Sequence, residues 1–150
     1  MIPSYNSPET DLKSLILSIS DMEEWGMESA QIELGSLKSN FRGYNYKIVI
    51  QILGSTVNAK YQFDDINYSL LVCGESASDE ALVHNVSWAV HNELVGRDTT
   101  MVGDVSYQNF QSRSIPYRAT STQQDRPIYL MNLSINRQVR NPEGNRTPLN

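Results

Sequence analysis

Residues 44–53, YNYKIVIQIL, set the fold class because apolar and polar side chains alternate along them. Side chains of a β-strand point to its two faces in turn, so this alternation predicts a strand with one buried face. Residues 54–56 are predicted to form a turn, after which residues 57–63 resume the alternation. Together the two stretches predict a β-hairpin. One face of the first strand carries Tyr44, Tyr46, Ile48, Ile50 and Ile52.

Three further stretches towards the C-terminus are predicted to be strands. Residues 66–73 are rich in apolar side chains, which is typical of a central strand. Residues 102–117 are largely polar, which suits a strand at a sheet edge or at the surface of a partner. Residues 128–139 alternate again. On the N-terminal side, Ile32 and Leu34 are candidates for one short strand in an otherwise irregular segment.

Two helices are predicted to flank the strands. Ser7, Pro8 and Glu9 form a helix start, with a capping hydroxyl, a proline in the first turn and an acid near the helix N-terminus. Gly26 is a predicted stop. The second helix is predicted from Asp79 to Gly96. The two apolar stripes are Leu12, Leu15, Ile16, Ile19 and Met22 in the first helix, and Val83, Val86, Val90 and Leu94 in the second.

The order of these elements predicts an α+β fold with a mainly antiparallel sheet of about five strands and two helices packed on one face. A chain of 150 residues has the length of a single domain. We expect residues 1–139 to form that domain. Residues 140–150 hold two prolines, one glycine and three asparagines, and are predicted to be a flexible tail.

Charge argues against nucleic acid as the partner. The chain carries a net charge of -5 and has a pI near 4.9, whereas neutralisation of phosphates dominates nucleic-acid affinity. From Arg97 onwards there are seven arginines and no lysine, against three aspartates and one glutamate. Arginine without lysine is the composition of protein interfaces. The longest apolar runs, such as residues 48–53, are too short to span a membrane, and no secretion signal is recognised, so we expect an intracellular product.

The search for catalytic chemistry yields no predicted catalytic residue, metal or cofactor. His84 and His91 lie seven residues apart on the second predicted helix, whereas a helical metal pair needs a spacing of three or four. Cys73 is the single cysteine and has no basic neighbour in sequence. Asp64 and Asp65 could pair with acids at positions 21, 23 and 24. A small metal-dependent hydrolase that uses Asp64, Asp65 and His84 is therefore an alternative from another functional class.

Tyrosines and arginines beside loops and prolines are the candidates for contact with other chains. These two residue types are common anchors of protein interfaces. The structural alternative is that the tyrosines pack at the sheet margins with their hydroxyls in water. The candidate subunit-interface residues are Tyr107, Arg113, Tyr117, Arg118, Arg126, Tyr129 and Arg137.

The second half of the chain contains a pattern that resembles a known family. Residues 115–117, IPY, are followed by Asp125 and Arg126 and then by residues 129–135, YLMNLSI. This order resembles the end of the domain in tail terminator (tail completion) and minor capsid proteins of tailed phages, whose N-terminal helix is matched by residues 8–22. The hairpin at residues 44–63 has no counterpart that can be aligned.

The resemblance implies a structural virion protein without catalysis or cofactor. It implies a ring of identical subunits, commonly a hexamer, that caps the tail tube and joins it to the neck beneath the capsid. The expected location is the virion, and the host cytoplasm during assembly. A tail tube, head-completion or baseplate protein is the alternative within the same class.

Overall fold

The computed structural model describes residues 6–19, 24, 26–38, 40–58, 63–119 and 126–139. Short 3-10 turns, Ser29–Gln31 and Ala77–Asp79, precede the first strand and the second helix. The elements are α1 (Pro8–Leu17), β1 (Ile32–Leu34), β2 (Tyr46–Asn58), β3 (Phe63–Gly74), α2 (Glu80–Leu94), β4 (Thr100–Val102), β5 (Val105–Arg118) and β6 (Ile128–Val139). The predicted 140–150 tail and Met22 lie outside the described residues.

The strands within these ranges form one six-stranded sheet in the order β1-β2-β3-β6-β5-β4. β1 runs parallel to β2, and every other neighbouring pair is antiparallel. The predicted α+β class is confirmed. The predicted sheet, mainly antiparallel with about five strands, is close to the observed one, which has six strands within the described residues and one parallel pair. Two short strands, β1 and β4, add to the predicted ones, whereas residues 63–74 form one strand, β3, and β1 supplies the parallel pair.

The first hairpin is longer than predicted. Residues 54–56 do not turn: β2 continues through them to Asn58, and the register against β3 shifts between Ile52 and Gly54. Leu53 has no partner in β3 and forms a bulge beside Gly54, and a glycine within a strand often marks such a bulge. The predicted separation of strands 57–63 and 66–73 is also wrong, because Phe63–Gly74 is one strand in which Asp64 and Asp65 both pair.

The predicted strand at residues 102–117 is in fact a hairpin. Val102 pairs with Val105, and Gly103 and Asp104 turn between them. Gly103 has φ of 60°, a conformation that glycine adopts at little cost. The predicted bounds of the last strand, residues 128–139, are confirmed by β6.

Both helix starts follow local sequence signals. The Ser7 hydroxyl accepts the backbone N–H of Thr10 at 3.2 Å, and Pro8 occupies the first turn, so the predicted start of α1 is confirmed. α1 ends earlier than predicted, at Leu17, although Ile19 is still buried. α2 lies within the predicted 79–96 range, and Gly96 follows its end with φ of 75°.

One cluster of buried apolar side chains joins both helices to the same face of the sheet. Alternate residues of β2, β3 and β6 supply the sheet side of this core, as the pairing of Ile50 with Leu70 and of Leu70 with Met131 illustrates. The members from the helices are Leu12, Leu15, Ile16, Val83, Val86, Val90 and Leu94. The prediction of two helices on one face is thereby confirmed.

Candidate subunit interface

The two ends of β5 have different surroundings along the outer side of the strand. β4 pairs only with Val105, Ser106 and Tyr107, and the N–H of Gly96 donates to the carbonyl of Phe110 at 2.9 Å. Beyond that point no described strand pairs with the outer side of residues 111–118. We call residues 105–110 the covered half of β5 and residues 111–118 its open half.

The open half of β5 combines a strand edge that no described strand covers with exposed apolar side chains. Ile115 is 59 % exposed and Tyr117 is 48 % exposed. Pro116 between them has no N–H to offer to a neighbouring strand, which is why proline in a sheet is found mainly on edges. A strand edge that no other strand covers, with apolar side chains beside it, is the kind of surface onto which another chain can add a strand.

The opposite edge of the sheet is open in the same way. β1 covers β2 only at Ile48, Val49 and Ile50. Past this point Ile52 and Leu53 are exposed, the latter to 60 %. The sheet therefore has two different half-open edges, one on β2 and one on β5.

Four of the predicted interface residues lie in the open half of β5 and near the start of the adjacent strand β6. Arg113, Tyr117 and Arg118 are exposed on the open half, and Arg118 pairs with Tyr129 of β6. Arg113 makes no ion pair with any residue in the described ranges. The structure thus brings this part of the predicted set together.

Contacts with α2 hold the end of the open half in place. A Glu80 carboxylate oxygen accepts from Arg118 Nε at 2.9 Å and from the Tyr129 hydroxyl at 3.0 Å. The hydrogen bond from Arg118 is the main cause that lowers the pKa of Glu80. Burial, together with Glu80, raises the pKa of Tyr129. The His84 ring lies edge-on to Tyr129, with centroids 5.5 Å apart.

Tyr107 and Arg137 lie at the other end of the strand pair and serve the interior. The prediction that Tyr107 is a surface residue is wrong, because it is only 1 % exposed. Its hydroxyl donates to the carboxylate of Asp11 on α1 and lies 3.3 Å from Arg137 Nε. Burial, reinforced by the hydrogen bond to Asp11, raises the pKa of Tyr107. Arg137 is largely buried and also forms an ion pair with Asp64 of β3 at 3.5 Å. Through Tyr107, these contacts connect α1 to the sheet.

Arg126 lies apart from the other candidates. Its guanidinium stands over the ring of Phe41, 5.0 Å from the centroid, beside the loop that joins β1 to β2. Cation–π contact with a buried ring explains its position without a partner chain. The structure therefore does not unite Arg126 with the open half of β5.

The residues of the alternative hydrolase site are also separated. Asp64 and Asp65 begin β3, whereas His84 contacts Tyr129, which pairs with Val72 near the other end of that strand. Eight residues of strand separate Asp64 from Val72, a distance of roughly 26 Å at about 3.3 Å per residue. The three side chains do not converge. Asp21 and Glu23 lie outside the described residues.

Other potential chemical groups are accounted for by packing. Burial raises the pKa of Cys73 to about 11. His91 lies 2.9 Å from the Ser112 hydroxyl and edge-on to Trp88. Within the residues that the structure describes, no three His, Cys, Asp or Glu side chains are grouped so that they could hold a metal ion. None of the described helices is long and apolar enough to cross a membrane.

The apolar residues at the edges were not among the sequence predictions. Ile115 carries a signal that could have found it, because a large apolar residue beside a proline in a polar strand is unusual. Leu53 carries no such signal, since its exposure depends on how far β1 extends along β2. No protein-family model and no curated protein matches the chain.

Proposed function

We propose that this chain is a non-enzymatic structural protein of a tailed-phage virion, a tail terminator. Identical subunits form a ring, which caps the tail tube and joins it to the neck. The proposal rests on the resemblance at residues 115–135 and on the architecture of the sheet edges. Of the residues that carry the resemblance, 115–117 lie at the end of β5 and 129–135 in the first part of β6.

The open half of β5 is the observation that carries the proposal. Ile115 and Tyr117 expose large apolar surfaces next to backbone groups that no described strand pairs. Burying such a side chain against a partner contributes about 1.5–3 kcal/mol. Pairing the strand edge with another chain would add backbone hydrogen bonds and fix the register. The surface is therefore better suited to another protein chain than to a small substrate.

The presence of two unlike edges favours a ring. The open half of β5 and the open part of β2 are different surfaces of one chain. When unlike surfaces of two copies bind, the growing assembly keeps one free surface of each kind at its ends. It closes into a ring only when the rotations between successive subunits add up to a full turn. A ring is the closed form of such an assembly.

Assembly and electron microscopy together test this function. Mass photometry of the purified chain should show an oligomer that grows with concentration, and negative-stain images with isolated tail tubes should show a cap at one end. Addition along the length of the tube would instead indicate a tube subunit. A chain that stays monomeric and leaves the tubes bare would contradict the proposal.

A matched pair of variants links that result to the open half of β5. Ile115→Glu places a charge at the proposed contact, whereas Leu82→Glu places one on the exposed side of α2, where Leu82 is also exposed. We expect the first variant to lose assembly or capping and the second to retain both. If the two variants assembled and capped tail tubes to the same extent, the open half would not be the contact surface.

A further inference from the structure

A groove of about 650 Å³ lies beside the edge strand β1. Its walls come from α1, from β1, from the loop between β1 and β2, and from the start of β2. Sites that bind small molecules have volumes of about 300–1,000 Å³, so the groove has room for one. Its charged lining residues are Lys13, Lys38, Arg42, Lys47 and Glu33. We call this feature the cationic groove.

The groove is positively charged in a chain that is acidic as a whole. The chain carries a net charge of -5 and only four lysines, yet three of those lysines and Arg42 line this one groove. Glu33 is the single carboxylate among the described lining residues. Four cations against one carboxylate leave an excess of three positive charges, so an anion is the ligand that the groove would attract.

Two of the charged residues form a neutral base for the groove. Lys47 is buried, and its Nζ donates to a Glu33 carboxylate oxygen at 2.5 Å and to the carbonyl of Asn40 at 2.7 Å. The backbone N–H of Lys38 donates to the other Glu33 oxygen at 2.5 Å. Although burial opposes ionisation of Glu33, these two donors lower its pKa. Lys47 and Glu33 thus neutralise each other inside the chain.

The other three cations of the groove have no such partner. Lys13, Lys38 and Arg42 form no ion pair with any residue that the structure describes. Glu9, one turn before Lys13, and Glu28, which precedes β1, neither line the groove nor lie within ion-pair distance of a described cation. Like charges around one groove repel each other unless an anion lies between them. Three unpaired cations therefore favour a ligand with more than one negative charge.

A tight turn places Arg42 at the groove in an unfavourable backbone conformation. The N–H of Tyr44 donates to the carbonyl of Phe41 at 2.9 Å, and the two residues between them have positive φ, 51° at Arg42 and 85° at Gly43. Such turns favour Gly, Asn or Asp at both positions. The side chain of Asn40 holds the N–H of Arg42 at 2.8 Å. Backbone strain of this kind is common where a side chain serves a binding site.

The groove also has an apolar wall. Ala30 and Ile32 line it, together with Leu34, which is 41 % exposed. Covering an exposed leucine is favourable, and a bare inorganic ion has no apolar surface with which to do so. An anion with an organic body fits both the cations and the apolar wall.

We propose that the cationic groove binds a small organic molecule that carries two or more negative charges on phosphate or carboxylate groups. The guanidinium of Arg42 can bind two oxygens of one such group at once, and Lys38 and Lys13 supply further positive charge. Leu34 contacts the organic body. The inference does not need the proposed ring, because three strands of the sheet separate β1 from β5.

Titration of the full chain at fixed ionic strength, followed by calorimetry, tests the site. Adenosine triphosphate presents phosphates and benzene-1,3,5-tricarboxylate presents carboxylates, each on a planar organic body. At least one of them should bind with a dissociation constant below about 1 mM, and the tighter one identifies the preferred group. Benzoate carries one charge on the same ring as the tricarboxylate and should bind at least about tenfold more weakly than the tighter probe. Failure of both multivalent probes to bind below 1 mM, or equal binding of benzoate, would overturn the inference.

Three variants locate the binding. Lys38→Ala and Arg42→Asn should each weaken the tighter probe by about tenfold or more. Because asparagine tolerates positive φ, Arg42→Asn should melt no lower than the wild type, which separates lost binding from lost folding. Arg113→Ala removes an exposed arginine outside the groove and should bind as the wild type does. Unchanged binding in both groove variants, or an equal loss in Arg113→Ala, would show that the groove is not the site.

Discussion

The covered and open halves of β5 place the same residue type in opposite roles. Tyr107 is 1 % exposed and hydrogen-bonded to Asp11 of α1, whereas Tyr117, ten residues further along the strand, is 48 % exposed. Tyr107 belongs to the core between the sheet and α1, whereas at the other end of β5 it is Pro116 that is buried, so Tyr117 points to the opposite face. A tyrosine in this strand stabilises the chain where a neighbouring element covers it, and is available to a partner where none does.

The change between the two halves has a local structural cause. The pairing of β5 with β6 shifts between Gln108 and Gln111, and Asn109 in this interval has φ of 56°. A bulge of this kind redirects the side chains that follow it and increases the local twist. Beyond it, Ser112 contacts His91 of α2 at 2.9 Å, which is a tie between the open half and the helix.

The largest expected effect on stability comes from replacing Tyr107, and the matched replacement of Tyr117 should have almost none. Tyr107→Ala should lower the free energy of unfolding by about 3–5 kcal/mol, because it opens a core cavity and leaves the buried Asp11 without its donor. Tyr117→Ala should change it by no more than about 0.5 kcal/mol. Urea unfolding of dilute protein gives both values. Equal losses would mean that the open half also stabilises the isolated chain.

The sequence predicted the elements better than the contacts between them. The spacing of apolar residues identified both helices and the bounds of β6, and capping residues identified the helix starts. Such signals come from residues that are neighbours in sequence. The turn at Gly103 was missed although Gly-Asp between two valines is a hairpin signal. The error at residues 54–56 is of another kind, since a glycine in a bulge and a glycine in a turn look alike in sequence.

The candidate site was predicted in part for a similar reason. Arg113, Tyr117 and Arg118 were chosen from composition and from their flanking residues, and all three are exposed on the open half of β5. Tyr107 had the same local features, yet it is buried by a contact with Asp11, 96 residues away in the chain. Contacts between residues so distant in sequence leave no periodic or local signal. Composition could also not reveal that three lysines line one groove.

A smaller effect is expected at the bulge that separates the halves. Asn109→Val should cost about 1–2 kcal/mol, because a β-branched side chain tolerates positive φ poorly. Asn109→Gly adopts this conformation freely and should stay within about 0.5 kcal/mol of the wild type. Thermal unfolding of the two variants measures the difference. If valine were tolerated as well as glycine, the bulge would not be needed to orient the open half.

The smallest effect concerns the tie between Glu80 and Arg118, and it depends on pH. The folded-state pKa of Glu80 lies below its ordinary value of 4.5, so its ionised form contributes stability above that pH and loses it as the pH falls through the folded-state pKa. Both side chains are more than a third exposed, which limits the contribution to less than about 1 kcal/mol.

Glu80→Gln tests this contribution. At neutral pH the variant should be slightly less stable than the wild type, and the difference should shrink towards zero as the solution is acidified below the ordinary pKa of a glutamate. Urea midpoints over a pH series provide the comparison. A difference that grows on acidification would have the wrong sign and would exclude the ion pair as its source.

Hydrogen–deuterium exchange along β5 tests most directly whether its open half receives another protein chain. In dilute protein, backbone N–H groups of residues 111–118 that do not pair with β6 should exchange fast, and those of residues 105–110 slowly. On raising the concentration or adding tail tubes, exchange in residues 111–118 should slow while that in residues 105–110 stays unchanged. If residues 111–118 exchange at the same rate in the assembled and the dilute protein, the open half is not the contact surface.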